Sequence, residues 1–422
     1  MVHITNFLSL SVLATFFLAS LVESAKMDCG SVTQSANITS TQKKSKYIVS
    51  LKSNDDEHKA WLKECVGIKM SDAVSSDEAY DLTVKGTNMN GYIASFTESF
   101  ATKILSKRSE VKFAEKDAPV SIRYAVPNNL FKRATRATKL PNLDRIDSAK
   151  FVLDGEYNFP NAGGEGVNVF IVDTGIDPDH QEVAGRVTDG GSFCEGCEKG
   201  NDPNGHGTHV AGTACGKTFG VAPKCDLIAI QVLDANGSGS NVGVIEGLKS
   251  VLDQHTKGKN KNSVASMSLG GAFSQAVNDA VKSLTTAGIH VVVAAGNEGD
   301  DACKDSPSSE KTAITVGATD STGKVAKKDV IADFSNIGKC VDIFAPGVNI
   351  QSAKAGTKNG IAIFDGTSQA TPHVTGTVAL IISQDGNKTP AAMAKAINTL
   401  STKGAIDDLK GSADSFLRVP AP

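Results

Sequence analysis

Three short segments contain the residue types that nucleophilic catalysis on a carbonyl group requires. Asp173 lies in VDTGID directly after an apolar run, His206 lies in NGHGTHVAG, and Ser368 lies in GTSQATPHV. A serine hydroxyl is a weak nucleophile at its own pKa, so a neighbouring base must take its proton. These residue types predict Ser368 as the nucleophile, His206 as the general base, and Asp173 as the group that orients the imidazole and stabilises its charged form.

A fourth segment, AAGN (residues 294–297), follows another apolar run. With this segment and the chain order Asp, His, Ser, the sequence resembles the subtilisin-like serine proteases (subtilases), and within them the proteinase K-type subgroup. The resemblance covers nearly all of residues 134–422, and residues 46–120 resemble the inhibitory propeptide of that family. It implies a serine endopeptidase whose oxyanion hole is formed by the Asn297 side-chain amide and the Ser368 backbone N–H.

The resemblance also implies where a substrate binds. An extended peptide pairs with two backbone segments as an added strand, which gives affinity that depends little on peptide sequence. The implied residues are Gly237, Ser238 and Gly239 in one segment, Ser268, Leu269 and Gly270 in the other, and Ala294, Ala295 and Gly296 in the primary specificity pocket. Because small residues line that pocket, we expect a broad endopeptidase with an apolar preference, acting on protein and peptide substrates.

One residue departs from the family pattern. Subtilases usually carry Met directly after the nucleophile, and this chain has Gln369 there. Glutamine is similar to methionine in length but brings an amide that needs hydrogen-bond partners if it is buried. A catalytically silent, protein-binding subtilase fold is therefore the competing hypothesis, although the expected Asp, His, Ser and Asn are all present.

Two other chemistries fit single motifs but not the whole sequence. The Asp-Thr-Gly at Asp173 also occurs in aspartic proteases, which need a second acidic partner, and this chain has no second Asp-Thr-Gly or Asp-Ser-Gly. Cys194 and Cys197 followed by His206 and His209 suggest zinc. However, only eight residues separate Cys197 from His206, against about twelve in a zinc finger. We expect His209 to be structural.

The composition excludes several other classes of protein. The chain has 422 residues, of which 40% are apolar and 21% charged, and its net charge is −3. This balance is typical of a packed globular protein and gives no basic surface for nucleic acid or anionic lipid. From residue 134 onward, apolar runs that indicate buried parallel strands alternate with helical stretches. We therefore predict an α/β fold with a doubly wound, mostly parallel sheet (subtilisin-like), and a small α+β domain before it.

Three parts are predicted along the chain. Residues 1–25 are predicted to be a signal peptide, because FLSLSVLATFFLASLV is apolar but shorter than a membrane span. Residues 26–133 are predicted to be a propeptide that acts as intramolecular inhibitor and chaperone, and residues 134–422 the catalytic domain. The basic stretch before residue 134 predicts cleavage between Arg133 and Ala134, by self-cleavage or by a dibasic-specific enzyme. We expect a secreted, extracellular monomer, with a vacuole or another secretory compartment as the alternative.

The cysteines predict stabilising crosslinks. Their number is eight, which allows all of them to pair in an oxidising compartment. The resemblance implies a disulfide between Cys303 and Cys340. Four others, Cys194, Cys197, Cys215 and Cys225, allow three pairings among themselves, and Cys29 and Cys65 fall in the predicted propeptide.

No cofactor is expected for the chemistry, but the resemblance implies a structural calcium ion. Asp342 matches a calcium-ligand position of the subgroup, with the backbone carbonyls of Lys311 and Ala313 as companions. A carboxylate with carbonyl oxygens suits Ca²⁺, and a surface aspartate without an ion is the alternative. Sequons predict N-glycosylation at Asn37 and Asn387.

Overall fold

The computed structural model describes residues 43–53, 56–63, 70–71, 79–84, 87, 89–122, 140–151, 153–197, 200–321 and 328–422. It forms two units. One contains the residues up to Asp81 together with Gly91–Lys116, and the other contains Leu82–Asn90 together with Asp117–Pro422. The predicted signal peptide, residues 1–25, lies outside the described residues.

The smaller unit is a mostly antiparallel sheet that packs with short helices around one apolar core. Its elements are β1 (Ser45–Leu51), α1 (Asp56–Trp61), β2 (Met70–Ser71), β3 (Ala79–Asp81), β4 (Gly91–Phe96), α2 (Glu98–Lys103), a 3₁₀ turn (Leu105–Lys107) and β5 (Val111–Lys116). The strand order is β2-β3-β4-β1-β5. Aromatic residues dominate the core, where Trp61 and Phe100 stack and Tyr92 and Phe96 are buried beside them.

The alternation of residue types in VKFAEKDAPV predicts one strand from Val111 to Val120. This prediction is wrong, because two strands of different units occupy the stretch. β5 ends at Lys116, and β6 (Pro119–Ile122) belongs to the larger unit. An alternating pattern cannot show this break, because it reports burial on one face and not the identity of the neighbouring strand.

The break follows from what Asp117 and Ala118 bind. The Asp117 carboxylate accepts a hydrogen bond from the Val242 N–H at 3.0 Å, and the Ala118 carbonyl accepts one from the Asn241 N–H at 2.9 Å. These N–H groups lie at the start of a helix, where they have no partner inside the helix. The negative side chain there also complements the positive end of the helix dipole.

The larger unit is built on a mostly parallel sheet. Its elements are β6, α3 (Pro141–Asp147), β7 (Asn168–Asp173), β8 (Val187–Ser192), α4 (His206–Cys215), β9 (Asp226–Gln231), β10 (Ser238–Ser240), α5 (Asn241–Lys257), β11 (Ser263–Met267), β12 (Leu269–Ala272), α6 (Gln275–Thr286), β13 (His290–Ala294), a 3₁₀ turn (Ala302–Lys304), β14 (Asp305–Ser306), β15 (Ile314–Asp320), β16 (Asp329–Ile331), β17 (Ile343–Pro346), β18 (Ile350–Ala353), β19 (Ile361–Phe364), α7 (Thr367–Asp385), α8 (Pro390–Leu400) and β20 (Ile406–Asp407). The main sheet has the order β20-β16-β15-β13-β11-β7-β9-β8, with β17 beside β15. The predicted α/β class is confirmed.

The strand order places β7 at the point where the winding reverses. β9 lies on one side of β7 and β11 on the other, and both run parallel to it. Connections that leave neighbouring strands in opposite directions open a crevice at the carboxyl ends of those strands. Asp173 is the last residue of β7, so the fold presents it at this crevice.

Two helices lie inside the larger unit. All residues of α4 are buried, and so are those of α7 from Thr367 to Ile382. The two helices pack against each other, and α7 also lies against β11, β13 and β15. Buried helices of this kind hold their first turns in a fixed position relative to the sheet. Among the described helices, none is long and apolar enough to cross a membrane.

Disulfides join all six described cysteines. The pairs are Cys194–Cys197, Cys215–Cys225 and Cys303–Cys340. The structure thus selects one of the three pairings that the sequence left open for the first four. Cys29 and Cys65 lie outside the described residues.

Candidate active site

Asp173 and His206 are in direct contact. The Nδ1 atom of His206 lies 2.8 Å from Oδ1 of Asp173, and both side chains are fully buried. His206 is the first residue of α4, and the residue before it, Gly205, has a φ of 96°, a left-handed conformation that glycine adopts without strain. Oδ1 of Asp173 also accepts the Thr174 N–H at 2.7 Å. An imidazole that donates from Nδ1 has its Nε2 as the basic atom.

Ser368 is the second residue of α7 and is tied to Ser268 by reciprocal hydrogen bonds. The Ser368 hydroxyl donates to the Ser268 carbonyl at 3.0 Å, and the Ser268 hydroxyl donates to the Ser368 carbonyl at 2.9 Å. The second bond exists because Pro372 lies inside α7 and has no N–H to donate to the carbonyl four residues earlier. Pro372 therefore frees the carbonyl that anchors the serine backbone.

Asn297 lies beside Ser368 with a defined orientation. Its Oδ1 accepts hydrogen bonds from the Thr367 N–H at 2.9 Å and from the Thr367 hydroxyl at 2.8 Å. A backbone N–H can only donate, so the oxygen end of the Asn297 amide must face Thr367. Nδ2 is therefore the end of this side chain that can donate to an oxyanion next to Ser368.

Replacement of Asn297 by alanine is expected to lower kcat by about 10²- to 10³-fold with little change in KM, because the lost donor acts on charge that develops in the transition state. Steady-state kinetics on a peptide substrate measure both constants. Asn260→Ala, which removes an exposed amide that donates to the Gly166 carbonyl, is the control and should leave kcat unchanged. A normal kcat for the Asn297 variant would exclude this residue from the oxyanion hole.

The two backbone segments expected to bind substrate flank β6. Ser238, Gly239 and Ser240 pair with Ser121, Val120 and Pro119, and on the other side Leu269 and Gly270 pair with Ile122 and Ser121. All of these pairings are antiparallel. The segments therefore hold an extended strand on both sides, as a bound peptide would require.

Side chains of β6 alternate between the interior of the larger unit and the solvent. Val120 and Ile122 are buried, whereas Pro119 and Ser121 are exposed. A Cβ built on Gly237 would lie 2.3 Å from Cδ1 of Ile122, so this glycine makes the room that the isoleucine occupies. Gly237 also has a φ of 72°.

The expected specificity-pocket residues follow β13. Ala294 ends that strand, and both Ala294 and Ala295 are buried. Gly296 has a φ of 110°, and a Cβ there would lie 2.2 Å from Nδ2 of Asn336. The Asn336 amide donates to the Ala295 carbonyl at 3.0 Å and so fixes the path of this segment.

Sequence reasoning missed the residues that position the predicted ones. These are Thr367, which orients Asn297, Asn336, which holds the Ala295 carbonyl, and Asp202, which binds Thr174 after β7 and the first turn of α4. Asp202 had a signal in the sequence, because the glycine before His206 has no side chain to cap the helix and an acceptor had to come from elsewhere. The other two had none, since they meet their partners only in three dimensions.

Two further histidines near the site are structural. Burial lowers the pKa of His209 to about 3 and that of His373 to about 4, so both are neutral. His209 bonds the Ile350 carbonyl, and His373 lies between the Gln369 carbonyl and the Asn142 amide. The thiols required for the zinc alternative are joined in the Cys194–Cys197 disulfide.

Gln369 is fully buried, and within the described part of the chain neither atom of its amide has a hydrogen-bond partner. We expect Gln369→Met to raise the free energy of unfolding by about 1–3 kcal/mol, because it removes a buried unsatisfied amide at nearly constant length. Thermal unfolding of the inhibitor-blocked enzyme measures this. Gln384→Met, at the exposed end of the same helix, is the matched control. Equal melting temperatures for the Gln369 variant and wild type would show that the amide is satisfied by solvent.

Asp342 has some of the features that the predicted calcium site requires. Its Oδ2 accepts the Thr315 N–H at 2.8 Å, and desolvation raises the pKa of its carboxyl to about 6. Burial of an ionised carboxylate without a cation costs free energy, so a hard cation such as Ca²⁺ would stabilise the charged form of Asp342. Among the described residues, no three His, Cys, Asp or Glu side chains converge as a metal site, and carbonyls would have to complete the ligand set.

Other predicted positions lie apart from the site or outside the described residues. Asn387 is exposed, with its amide donating to the Lys261 carbonyl at 2.9 Å. Asn37 and the predicted cleavage site between Arg133 and Ala134 lie outside the described residues.

Comparisons with known proteins find relatives for two stretches of the chain. A family model described as "Subtilase family" matches residues 164–414, and one described as "Peptidase inhibitor I9" matches residues 46–123. Subtilisin-like protease 2 of Pseudogymnoascus destructans is 47% identical over 280 residues, which are 66% of this chain and 67% of the relative. Subtilisin-like protease 7 of Arthroderma otae is 44% identical over 299 residues, which are 70% of this chain and 69% of the relative. A solved structure described as a cold adapted subtilisin-like serine proteinase has a TM-score of 0.63 at 38% identity and covers 68% of this chain and 100% of its own.

Proposed function

Since this chain belongs to the subtilase family and is a serine endopeptidase, we propose that it cuts proteins through an acyl-enzyme on Ser368. The observation that supports this most strongly is the buried Asp173–His206 hydrogen bond of 2.8 Å, formed where β7 ends and α4 begins. Helix α7, which carries Ser368 as its second residue, packs against α4 in the same unit. The reaction needs no cofactor.

The proposed mechanism uses these groups in sequence. Nε2 of His206 takes the proton of the Ser368 hydroxyl, and the oxygen attacks the substrate carbonyl. The Asn297 amide and the Ser368 backbone N–H, at a helix start where partial positive charge gathers, hold the oxyanion. His206 then gives its proton to the leaving amine. In the second half of the reaction His206 takes a proton from water, the water oxygen attacks the acyl-enzyme, and His206 returns the proton to the Ser368 oxygen. Asp173 holds the imidazole and stabilises its charged form throughout.

A fluorophosphonate that labels activated serines tests this function directly. Mature wild type should be labelled and should digest casein, whereas Ser368→Ala and His206→Ala should do neither. Absence of labelling in correctly folded wild type would support the competing hypothesis, a silent protein-binding subtilase fold, for which Gln369 is the only sequence argument.

We propose that β6 acts as the inhibitory end of the propeptide. It is paired on both sides by the segments expected to bind substrate, and the match to the I9 inhibitor family extends to residue 123. Its buried Val120 and Ile122 also support an apolar preference at alternate substrate positions. A peptide of residues 117–122 should inhibit the mature enzyme competitively, and a variant with aspartate at both apolar positions should not.

Maturation is proposed to occur in two cuts. In the pairing register, Ser121 lies opposite Gly270 and Ile122 opposite Leu269, so the register runs toward Ser268, the residue bonded to Ser368. The first cut is therefore proposed between Arg123 and Tyr124. The predicted cut between Arg133 and Ala134 would follow it. N-terminal sequencing at successive times should detect a new N terminus at Tyr124 earlier than one at Ala134.

The proposed domain limits are residues 26–133 for the propeptide and 134–422 for the enzyme. Trp61 is the only tryptophan of the chain and lies in the smaller unit, so complete removal of the propeptide should abolish tryptophan fluorescence. Tryptophan emission that persists in the active product would show that the propeptide stays bound.

We propose that Asp342, with the Lys311 and Ala313 carbonyls, binds a structural calcium ion. Calcium at about 100 times its Kd would stabilise the fold by about 2.7 kcal/mol, so a chelator should lower the melting temperature while activity at room temperature persists. Asp342→Asn should lose the response to calcium. A response that survives this substitution would place the ion elsewhere.

Secretion is proposed from the predicted signal peptide and from the disulfides, which form in oxidising compartments. Expression with and without residues 1–25, followed by assay of medium, vacuolar fraction and cytosol, distinguishes extracellular from vacuolar delivery. Gel filtration of the secreted form tests the expected monomer, and mass spectrometry tests the glycosylation predicted at Asn37 and Asn387.

A further inference from the structure

Asp202 is a buried carboxylate that the reaction described above does not use. It lies four residues before His206, and only 4% of its surface is exposed. Burial of a carboxylate costs free energy unless hydrogen bonds compensate it. Each of its two oxygens accepts two hydrogen bonds, which offset part of this cost, although burial still raises the pKa of the carboxyl.

The first oxygen binds one loop to the helix start. Oδ1 accepts the Thr174 hydroxyl at 2.8 Å and the Gly205 N–H at 2.8 Å. Thr174 directly follows Asp173, and Gly205 directly precedes His206. One carboxylate oxygen therefore joins the neighbours of the two residues that form the 2.8 Å hydrogen bond.

The second oxygen binds the first turn of α4. Oδ2 accepts the Thr208 N–H at 2.7 Å and the Thr208 hydroxyl at 2.6 Å. The helix needs this, because Gly205 at its cap has no side chain to bind the exposed N–H groups. Asp202 takes the role of that missing cap.

Two further hydrogen bonds join the end of β7 to the start of α4. The Thr174 hydroxyl, which donates to Asp202, accepts the Gly207 N–H at 2.9 Å. The Thr208 hydroxyl accepts the Asp177 N–H at 2.8 Å. The strand end that carries Asp173 and the helix start that carries His206 are thus joined by hydrogen bonds at several points, with Asp202 at the centre.

We propose that Asp202 is a positioning residue that holds Asp173 and His206 in their productive geometry. This rests on the proposed function and deepens it. Misplacement of a catalytic group by about 1 Å can lower a rate by about 10²-fold. Asparagine at this position keeps one oxygen but puts an NH₂ group against a backbone N–H that can only donate, so one of the two links must break.

The test compares mature forms of Asp202→Asn and Thr174→Val with wild type. We expect kcat to fall about 10²-fold for Asp202→Asn and about 10-fold for Thr174→Val, with KM within about twofold. The double variant should lose less than the product of the two single losses, because both substitutions act on the same hydrogen-bonded arrangement. The downfield NMR signal of the His206 Nδ1 proton should shift in both single variants.

Thr213→Val is the matched control. It removes a buried hydroxyl that donates to the His209 carbonyl in the same helix and is not one of the hydrogen bonds that Asp202 and Thr174 form. It should lower stability and leave kcat and the NMR signal unchanged. If Asp202→Asn does not fold, Thr174→Val decides the question.

Normal kcat in folded Asp202→Asn and Thr174→Val would overturn the proposal, and so would an equal loss in Thr213→Val. Failure of wild type to react with the fluorophosphonate would instead overturn the proposed function.

Discussion

Replacement of Ser368 by alanine is expected to lower kcat by about 10⁶-fold, while KM stays close to that of wild type. The hydroxyl is the only group in the proposed mechanism that bonds to the substrate carbon, so the acyl-enzyme cannot form without it. The oxyanion donors and substrate binding remain, and they support a residual rate of about 10³- to 10⁴-fold over water. The chain should also stay uncut, because self-cleavage needs the same serine.

The measurement is kcat on a peptide substrate together with the chain length on a denaturing gel. Because the variant cannot mature itself, traces of wild type are added to process it and are then blocked with a serine-directed inhibitor. Ser383→Ala, in the same helix with its hydroxyl bonded to the Leu380 carbonyl, is the control and should keep full activity. A Ser368 variant that matures alone and digests casein would refute the assignment of the nucleophile.

Replacement of Asp173 by alanine is expected to lower kcat by about 10⁴-fold. The carboxylate holds the Nδ1 proton of His206 and stabilises the imidazolium that forms in the transition state. Both effects are lost together, whereas the proposed substrate contacts through β10 and β12 do not involve this residue, so KM should change little.

Asp173→Asn separates the two effects. The Thr174 N–H contacts the same oxygen as His206, so an asparagine would place its oxygen there and keep the imidazole oriented. Only the charge would then be lost, and kcat should lie between those of wild type and Asp173→Ala. Equal rates for Asn and Ala would show that charge alone matters, and a wild-type rate for Asn would show that orientation alone does. Asp253→Ala, which removes a half-buried ion pair with Lys249 on α5, controls for the loss of a carboxylate.

The general fold was predictable because its signals are local. Each central strand is a short apolar run, since a parallel strand is covered on both faces. The apolar runs Val167–Val172 and Ile289–Ala295 predict strands, and β7 and β13 match them to within one residue at each end. The stretch Gln275–Thr286 likewise predicts a helix from the sequence, and α6 has these bounds in the structure. The strand Val111–Val120 was wrong because the break after Lys116 depends on helix α5, more than a hundred residues later in the chain.

The candidate site also contains residues that the sequence predicts and residues that only the structure shows. Asp173, His206, Ser368 and Asn297 were predicted from the sequence because the proposed reaction requires those side chains and few others can replace them. The partners that position them were not, because a threonine or an aspartate serves only if the fold brings it within hydrogen-bond distance. Thr367 binds an amide seventy positions away in the chain, and no local pattern reports such a pair.

The sequence by itself determined the family, the α/β class and the residue types of the reaction, since each depends on composition, periodicity or a short motif. Only the tertiary structure decided which of three cysteine pairings forms, that Pro372 frees the Ser368 carbonyl for Ser268, and that β6 pairs with β10 and β12. The tertiary structure alone also showed that Asp202 bonds to the residue after β7, which carries Asp173, and to α4, which carries His206. The reason is physical: hydrogen bonds and disulfides require distances of a few ångströms, and folding sets those distances between residues that lie far apart in the chain.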